Sequence, residues 1–179
     1  MQQGYPIVYM DESGFEAETI RPFGYAPIGK PCIDRYNWQA KKRTNVIGAL
    51  YERMLFALDY FETNINSHVF YDWCKHTLIP NLETKCVIVM DMSKDRAKHC
   101  FARAQGKSCA RVTRFHKNKR IQKLLNRHGH RILWLPPYSP DLNPIEKKWA
   151  QAKFLRQGWM ENDLPKLFHD MGCIDFIRT

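Results

Sequence analysis

Three carboxylates stand in contexts that suit metal chemistry. Asp11 closes the apolar run "YPIVYMD" (5–11), Asp91 closes "KCVIVMD" (85–91), and Glu146 lies just inside the helix-like stretch of "LPPYSPDLNPIEKKWAQAK" (135–153). An aspartate at the end of a buried strand is costly unless its charge is used or neutralised. If the two Met-Asp strands lie side by side in a mixed sheet, their carboxylates share a site. Three such groups repel one another and are normally held together by divalent metal. Two ions about 3.5–4 Å apart can activate water and stabilise the leaving oxygen of a phosphodiester. Taken singly, each Asp can also be a strand-end turn residue that bonds its own backbone. Glu12, next to Asp11, is an alternative ligand.

Glu146 has a second reading of its own. With Asn143 as N-cap, Pro144 falls at the first helical position and Glu146 at the third, a near capping box at the positive end of a helix. Such a cap is worth about 1 kcal/mol and does not by itself call for the proline-rich approach.

The elements that must position these groups are visible as patterns. "YPIVYMD", "KCVIVMD" and "RILWLPP" (131–137) have the form of buried strands. "GYAPIGKPC" (24–32) carries turn residues, and "NVIGALYERMLFAL" (45–58) reads as one or two further strands, which with the first run suggest an antiparallel meander. In "NSHVFYDWCKHTLIPNL" (66–82), Val69, Trp73 and His76 or Thr77 recur at helical spacing and Pro80 closes the segment. "NKRIQKLLNRHGH" (118–130) places Ile121, Leu124 and Leu125 on one face, with Gly129 as a stop. "ENDLPKLFHDMG" (161–172) repeats that logic with Leu164, Leu167, Phe168, Met171 and Gly172. The predicted order is strands, helix, strand, helix, strand, helix: an α/β chain.

Composition narrows the classes. With 179 residues, 44% of them hydrophobic and 13% aromatic, the chain can build a real core. There is no apolar run of spanning length and no signal-like N-terminus, which predicts a soluble, cytoplasmic protein with no membrane partner. The six cysteines form no CxxC pair and read as reduced thiols rather than a disulfide frame or zinc site. A net charge of +10 points to a polyanionic partner, because each cation that meets a phosphate releases counterions.

"MDESGF", "VIVMD" and "LPPYSPDLNPIEKKWAQAK", in this order, resemble the DDE catalytic domain of the IS630/Tc1/mariner transposases, in particular the bacterial insertion-sequence branch. The resemblance covers roughly residues 5 to 157, with "RPFGYAPIGK" and "VIGALY" similar to the intervening family strands. It implies an RNase H-like fold, with residues 1–160 as the catalytic domain and 161–179 as a C-terminal helix packed on or extending it. It further implies that Asp11, Asp91 and Glu146 bind two Mg²⁺ (or Mn²⁺) ions, which drive hydrolysis at transposon ends and then strand transfer. DNA, both transposon end and target, is the implied partner. Lys147, Lys148, Lys153 and Arg156, on the helix carrying Glu146, are candidates for phosphate contacts, or else a solvated basic face.

The pattern breaks after Asp91. In the family the second Asp opens a "DNAxxH"-like stretch, whereas here the plausible histidine is His116 in "RFHKNK". The displacement matches an atypical basic segment, about 92–111, in which Lys94, Arg96, Lys98, Arg103, Lys107 and Arg111 face only Asp95. His99, Cys100, Cys109 and His116 match no usual zinc spacing. A longer surface loop costs the fold little, but about 1 Å of displacement at a reacting centre can cost a hundredfold in rate. The chain also starts almost at the first catalytic strand, so end recognition is expected from a separate helix-turn-helix chain or a homodimer. The expectation is therefore a truncated catalytic domain whose activity is in question. The alternatives are a non-catalytic DNA-binding remnant and an RNase H-like nuclease.

Overall fold

A central strand, β1 (Ile7–Glu16), is paired on both sides. In the computed structural model, which describes residues 4–16, 24–33, 43–91, 119–136, 139–159 and 161–173, β2 (Arg43–Tyr51) runs antiparallel to β1, and β3 (Met54–Phe61) antiparallel to β2. On the other side β4 (Val87–Met90) runs parallel to β1, and β5 (Arg131–Trp134) parallel to β4. The strand order is β3-β2-β1-β4-β5, so the predicted meander and the mixed sheet are both present. The segment 92–111, His116 and the His/Cys set within that stretch lie outside the described residues.

Helices cover both faces. α1 (Ser67–Trp73) starts at Asn66, whose side chain accepts from the His68 and Val69 N–H groups, and continues through a wide π turn (Cys74–Leu78) into a tight turn containing Pro80. Together with α2 (Lys119–Arg127) it buries one face, where Phe70, Trp73, Leu78, Ile121 and Leu125 pack on Val8, Met10, Ile47 and Ile88. On the other face lie α3 (Pro144–Trp159) and α4 (Leu164–Asp170), whose Ile145, Trp149, Ala152, Leu167 and Phe168 pack on Phe15, Val46, Leu50 and Leu58. Gly129 (φ 82°) ends α2 as expected, with the His130 N–H donating to the Leu125 carbonyl and the Gly129 N–H to that of Asn126.

β1 is longer than its apolar run. Beyond Met10 it has no parallel partner in β4, yet antiparallel pairing with β2 continues to Glu16. The β2–β3 pairing is interrupted between Ile47 and Ala49, opposite Ala57, which has φ 54°. The indole N–H of Trp73 donates to the Ala57 carbonyl at 3.0 Å, so this bulge is held from below by α1.

The β2–β3 hairpin turns at Glu52 and Arg53, and Glu52 is held at φ 53°, where a side chain is strained. Glu52→Gly is expected to raise stability by up to about 1 kcal/mol, the relief being partly offset by the more flexible unfolded chain. A thermal melt that is unchanged or lower would contradict this.

β4 and β5 are joined at their starts by a buried pair. The Cys86 N–H donates to His130 Nδ1 at 3.4 Å, and Cys86 Sγ lies 3.3 Å from the same nitrogen. Burial, and then neighbouring His128, hold His130 below its ordinary 6.5. The folded protein therefore resists a proton that the unfolded chain accepts. The contribution of His130 to stability is complete above about pH 6.5 and is lost as pH falls through that value. Melting curves between pH 7.5 and 5 are expected to show this slope, and His130→Gln to flatten it.

Candidate active site

The alternation of β1 decides which acid faces α3. Tyr9, Ser13 and Phe15 share one side of the strand, and Tyr9 and Phe15 belong to the α3–α4 core; Val8 and Met10 belong to the opposite core. Asp11 has the parity of the first set and Glu12 of the second. Opposite Asp11 in the ladder is Gly48. A Cβ at Gly48 would come 3.0 Å from the Trp149 ring and 2.7 Å from Leu58, so its bareness lets α3 lie directly on the sheet beside Asp11.

Asp91 comes from the neighbouring strand. Met10 and Met90 are the last paired residues of the parallel β1–β4 ladder, so Asp11 and Asp91 are the next residue on each chain. The sheet carries the third acid as well. β5 leads through Leu135, whose N–H donates to the Met90 carbonyl at 2.9 Å, and a short turn at Pro140–Leu142 delivers the chain to Pro144. Glu146 then sits in the first turn of α3.

The carboxylates act on one another electrostatically at this corner of the sheet. Asp11 is pushed up from 3.8 to about 8, first by burial, then by the Glu146 carboxylate, and further by Glu12 and Asp91; only the Glu12 backbone N–H pulls the other way. Thus Asp11 feels all three neighbouring acids. Among the described residues, no three His, Cys, Asp or Glu side chains close around a single point as a ready-made metal cage. That arrangement still fits Mg²⁺ or Mn²⁺ better than a softer metal. The donors are hard oxygens, and Mg²⁺ commonly takes only one or two carboxylates, keeping waters and substrate phosphates for the rest.

The capping box is not formed. The Glu146 N–H donates to the backbone carbonyl of Asn143 at 3.1 Å, Pro144 has no N–H to offer, and Asn143 Oδ1 is buried with no hydrogen-bond partner among the described residues. Asn143 is only 3% exposed. Forgoing the cap costs about 1 kcal/mol, and leaving a buried acceptor unmet about 1–3 kcal/mol more.

The four candidate cations separate. Lys147 and Lys153 are exposed and Lys148 half-buried on α3, with the Lys153 ammonium 5.5 Å from the centre of the Phe15 ring. Arg156 is different: it is 5% exposed, its Nη1 donates to the Glu16 carbonyl at 2.6 Å and its Nε to the Glu161 carbonyl at 3.1 Å. Its guanidinium ties the end of β1 to the turn before α4. The expectation of Arg156 as a phosphate contact is corrected accordingly. Gly48, beside Asp11, is the residue that motif reading passed over. For Gly48 a small residue inside an apolar strand was the available signal.

A family model described as "DDE superfamily endonuclease" matches residues 6–102 and 110–160. The chain belongs to that family. The interruption of the match, 103–109, falls inside the atypical basic segment of this DDE-family chain. Among solved structures the DDE-family chain is similar to a Mos1 transposase paired-end complex with left transposon end, at TM-score 0.61 and 15% identity over 85% of this chain and 42% of that one. It is also similar to the Mos1 transposase catalytic domain with Raltegravir and Mg, at TM-score 0.55 and 10% identity over 94% of this chain and 69% of that one. These likenesses establish the fold, the RNase H-like one expected. A curated relative, the uncharacterized protein y4pE/y4sA of Sinorhizobium fredii (strain NBRC 101917 / NGR234), is 40% identical over 40 residues, 22% of this chain and 27% of its own length. The match thus spans 27% of the curated relative and 42% of the paired-end transposase, under half of each. No helix among its described residues is long and apolar enough to cross a membrane.

Proposed function

We propose that this domain performs metal-dependent phosphoryl transfer on DNA, cutting strands at the ends of an insertion sequence and joining them to a target. Asp11, Asp91 and Glu146 are the carboxylates that would hold the divalent ions. The observation that carries this reading is the parallel register of β1 and β4, which leaves Asp11 and Asp91 side by side, with Glu146 in the first turn of α3 acting on the buried Asp11, in a chain of net charge +10. Such a centre is relieved when a divalent cation enters, and the basic exterior suits a polyphosphate. Membership of the endonuclease family supports the reaction class. The Mg named in the transposase catalytic-domain structure supports the cofactor, and the transposon end in the paired-end complex supports the partner.

When bound, the ions would supply Lewis acidity at the scissile phosphate and a more acidic water. The chain's own residues do the rest. Asp11 and Asp91, fixed by the rigid parallel ladder, define the sheet side of the site. Glu146 closes it from the α3 end, where the helix dipole favours a negative group. Lys147 and Lys148, beside Glu146, offer cations to the phosphates flanking the scissile bond. A separate helix-turn-helix chain and a second copy of this chain are the candidate protein partners on the DNA.

Purified protein is expected to nick duplex DNA carrying the element's ends only with Mg²⁺ or Mn²⁺, and Asp11→Ala to be inert. Equal nicking by both would reject the assignment. Nicking of any branched or hybrid substrate, without preference for the ends, would favour a general RNase H-like nuclease. Binding without nicking by the wild type would leave a DNA-binding remnant.

A further inference from the structure

We infer that Asn143 is a positioning residue of the carboxylate site, its side-chain oxygen serving as a neutral donor to the hydrated divalent cation. This rests on the reading of Asp11, Asp91 and Glu146 as a divalent-cation site. Asn143 stands at the position that normally caps a helix, yet its side chain caps nothing: the first-turn N–H of Glu146 is taken by its backbone carbonyl instead. Its Oδ1 is nevertheless buried and unpartnered among the described residues. A buried amide oxygen normally finds a donor. Here it lies at the mouth of α3, three residues before the carboxylate whose charge reaches Asp11. An amide oxygen is an acceptor only, so the partner it lacks is one that brings positive charge or a proton donor. A hydrated divalent cation brings both, and amide oxygens are ordinary ligands of hard cations. Pro144, which has no N–H, and the turn at Pro140–Leu142 fix the backbone on either side, so the side chain is presented by a rigid frame.

The test is Mn²⁺ titration by calorimetry on the full 179-residue chain, with melting of the metal-free protein alongside. Asn143→Ala is expected to weaken Mn²⁺ binding about tenfold, the lower end for loss of a supporting partner, while the metal-free melting temperature stays level or rises. Asn143→Asp keeps the shape and adds charge, and is expected to bind Mn²⁺ at least as tightly as wild type. Unchanged Mn²⁺ affinity in Asn143→Ala, with a lower metal-free melting temperature, would make the residue a helix cap and overturn the proposal. Should Asn143→Ala not fold, Asn143→Asp decides: a higher metal-free melting temperature with weaker Mn²⁺ binding overturns it equally. Asp11→Asn is the separate control. If wild type and Asp11→Asn bind Mn²⁺ alike, the cation-site reading itself fails, whatever Asn143 does.

Discussion

Asp11→Asn is expected to abolish nicking and, at the same time, to stabilise the metal-free protein. The loss of activity should exceed about a hundredfold, since losing even an outer partner of a metal ligand costs about 10–100-fold. The gain in stability follows from burial. The folded protein holds the Asp11 proton up to about pH 8, whereas the unfolded chain releases it near the ordinary 3.8. Between those values the folded state binds more protons, so the wild type loses stability as pH rises, by on the order of 5 kcal/mol across the window as an upper limit. Asparagine has no such proton to lose. Urea unfolding without metal at pH 5 and pH 8 is the check: the advantage of the variant should widen with pH, and added Mg²⁺ should recover the wild type alone. A variant less stable than wild type at pH 8 would mean that Asp11 is well paired in the free protein, and the argument for a cation would lose its basis.

Arg156→Ala is expected to cost about 2–4 kcal/mol of stability. It strands the Glu16 and Glu161 carbonyls and removes a buried cation bonded to both. Burial already depresses the guanidinium below its usual value, and the nearby Glu16 carboxylate partly offsets this. Lysine should not rescue, because a single ammonium cannot reproduce the fork that spans two carbonyls. The contrast with the exposed lysines is the sharper test. Lys147→Gln is expected to leave stability within about 0.5 kcal/mol and lower the salt slope of DNA binding by about 0.9, one released counterion. Arg156→Ala, measured cold enough to stay folded, should leave that slope unchanged. A lower slope for Arg156→Ala would return it to the DNA surface.

Much of this architecture was legible in the residues because the relevant signals are local. The apolar runs at 5–11, 85–91 and 131–137, the helical stripe of Ile121, Leu124 and Leu125, and Gly129 each carry their own instruction, and β1, β4, β5, α2 and its stop arise from them. What was not legible depended on partners distant in sequence. β1 extends to Glu16 only because β2 lies beside it. Arg156 is buried by a carbonyl 140 residues away, and no property of the α3 sequence announces that. Asn143 looked like a cap because cap propensity is a statement about isolated helix ends. In the fold its backbone carbonyl takes the bond and its side chain is left for other work. Residue pattern alone left Glu12 open beside Asp11, the choice the resemblance implied, and the two cores assign a face to each.

That assignment has a genetic consequence. Because neighbouring positions of β1 look to opposite sides, the choice of acid at the site is stored as odd or even, not as a chemical preference at either position. Missense changes at the other positions of β1 leave that bit untouched. Loss of one codon ahead of Asp11 inverts it, turning Glu12 toward α3 and Asp11 away, while loss of two codons restores it. Among relatives the strand should therefore keep its length parity fixed even where its exposed side chains differ.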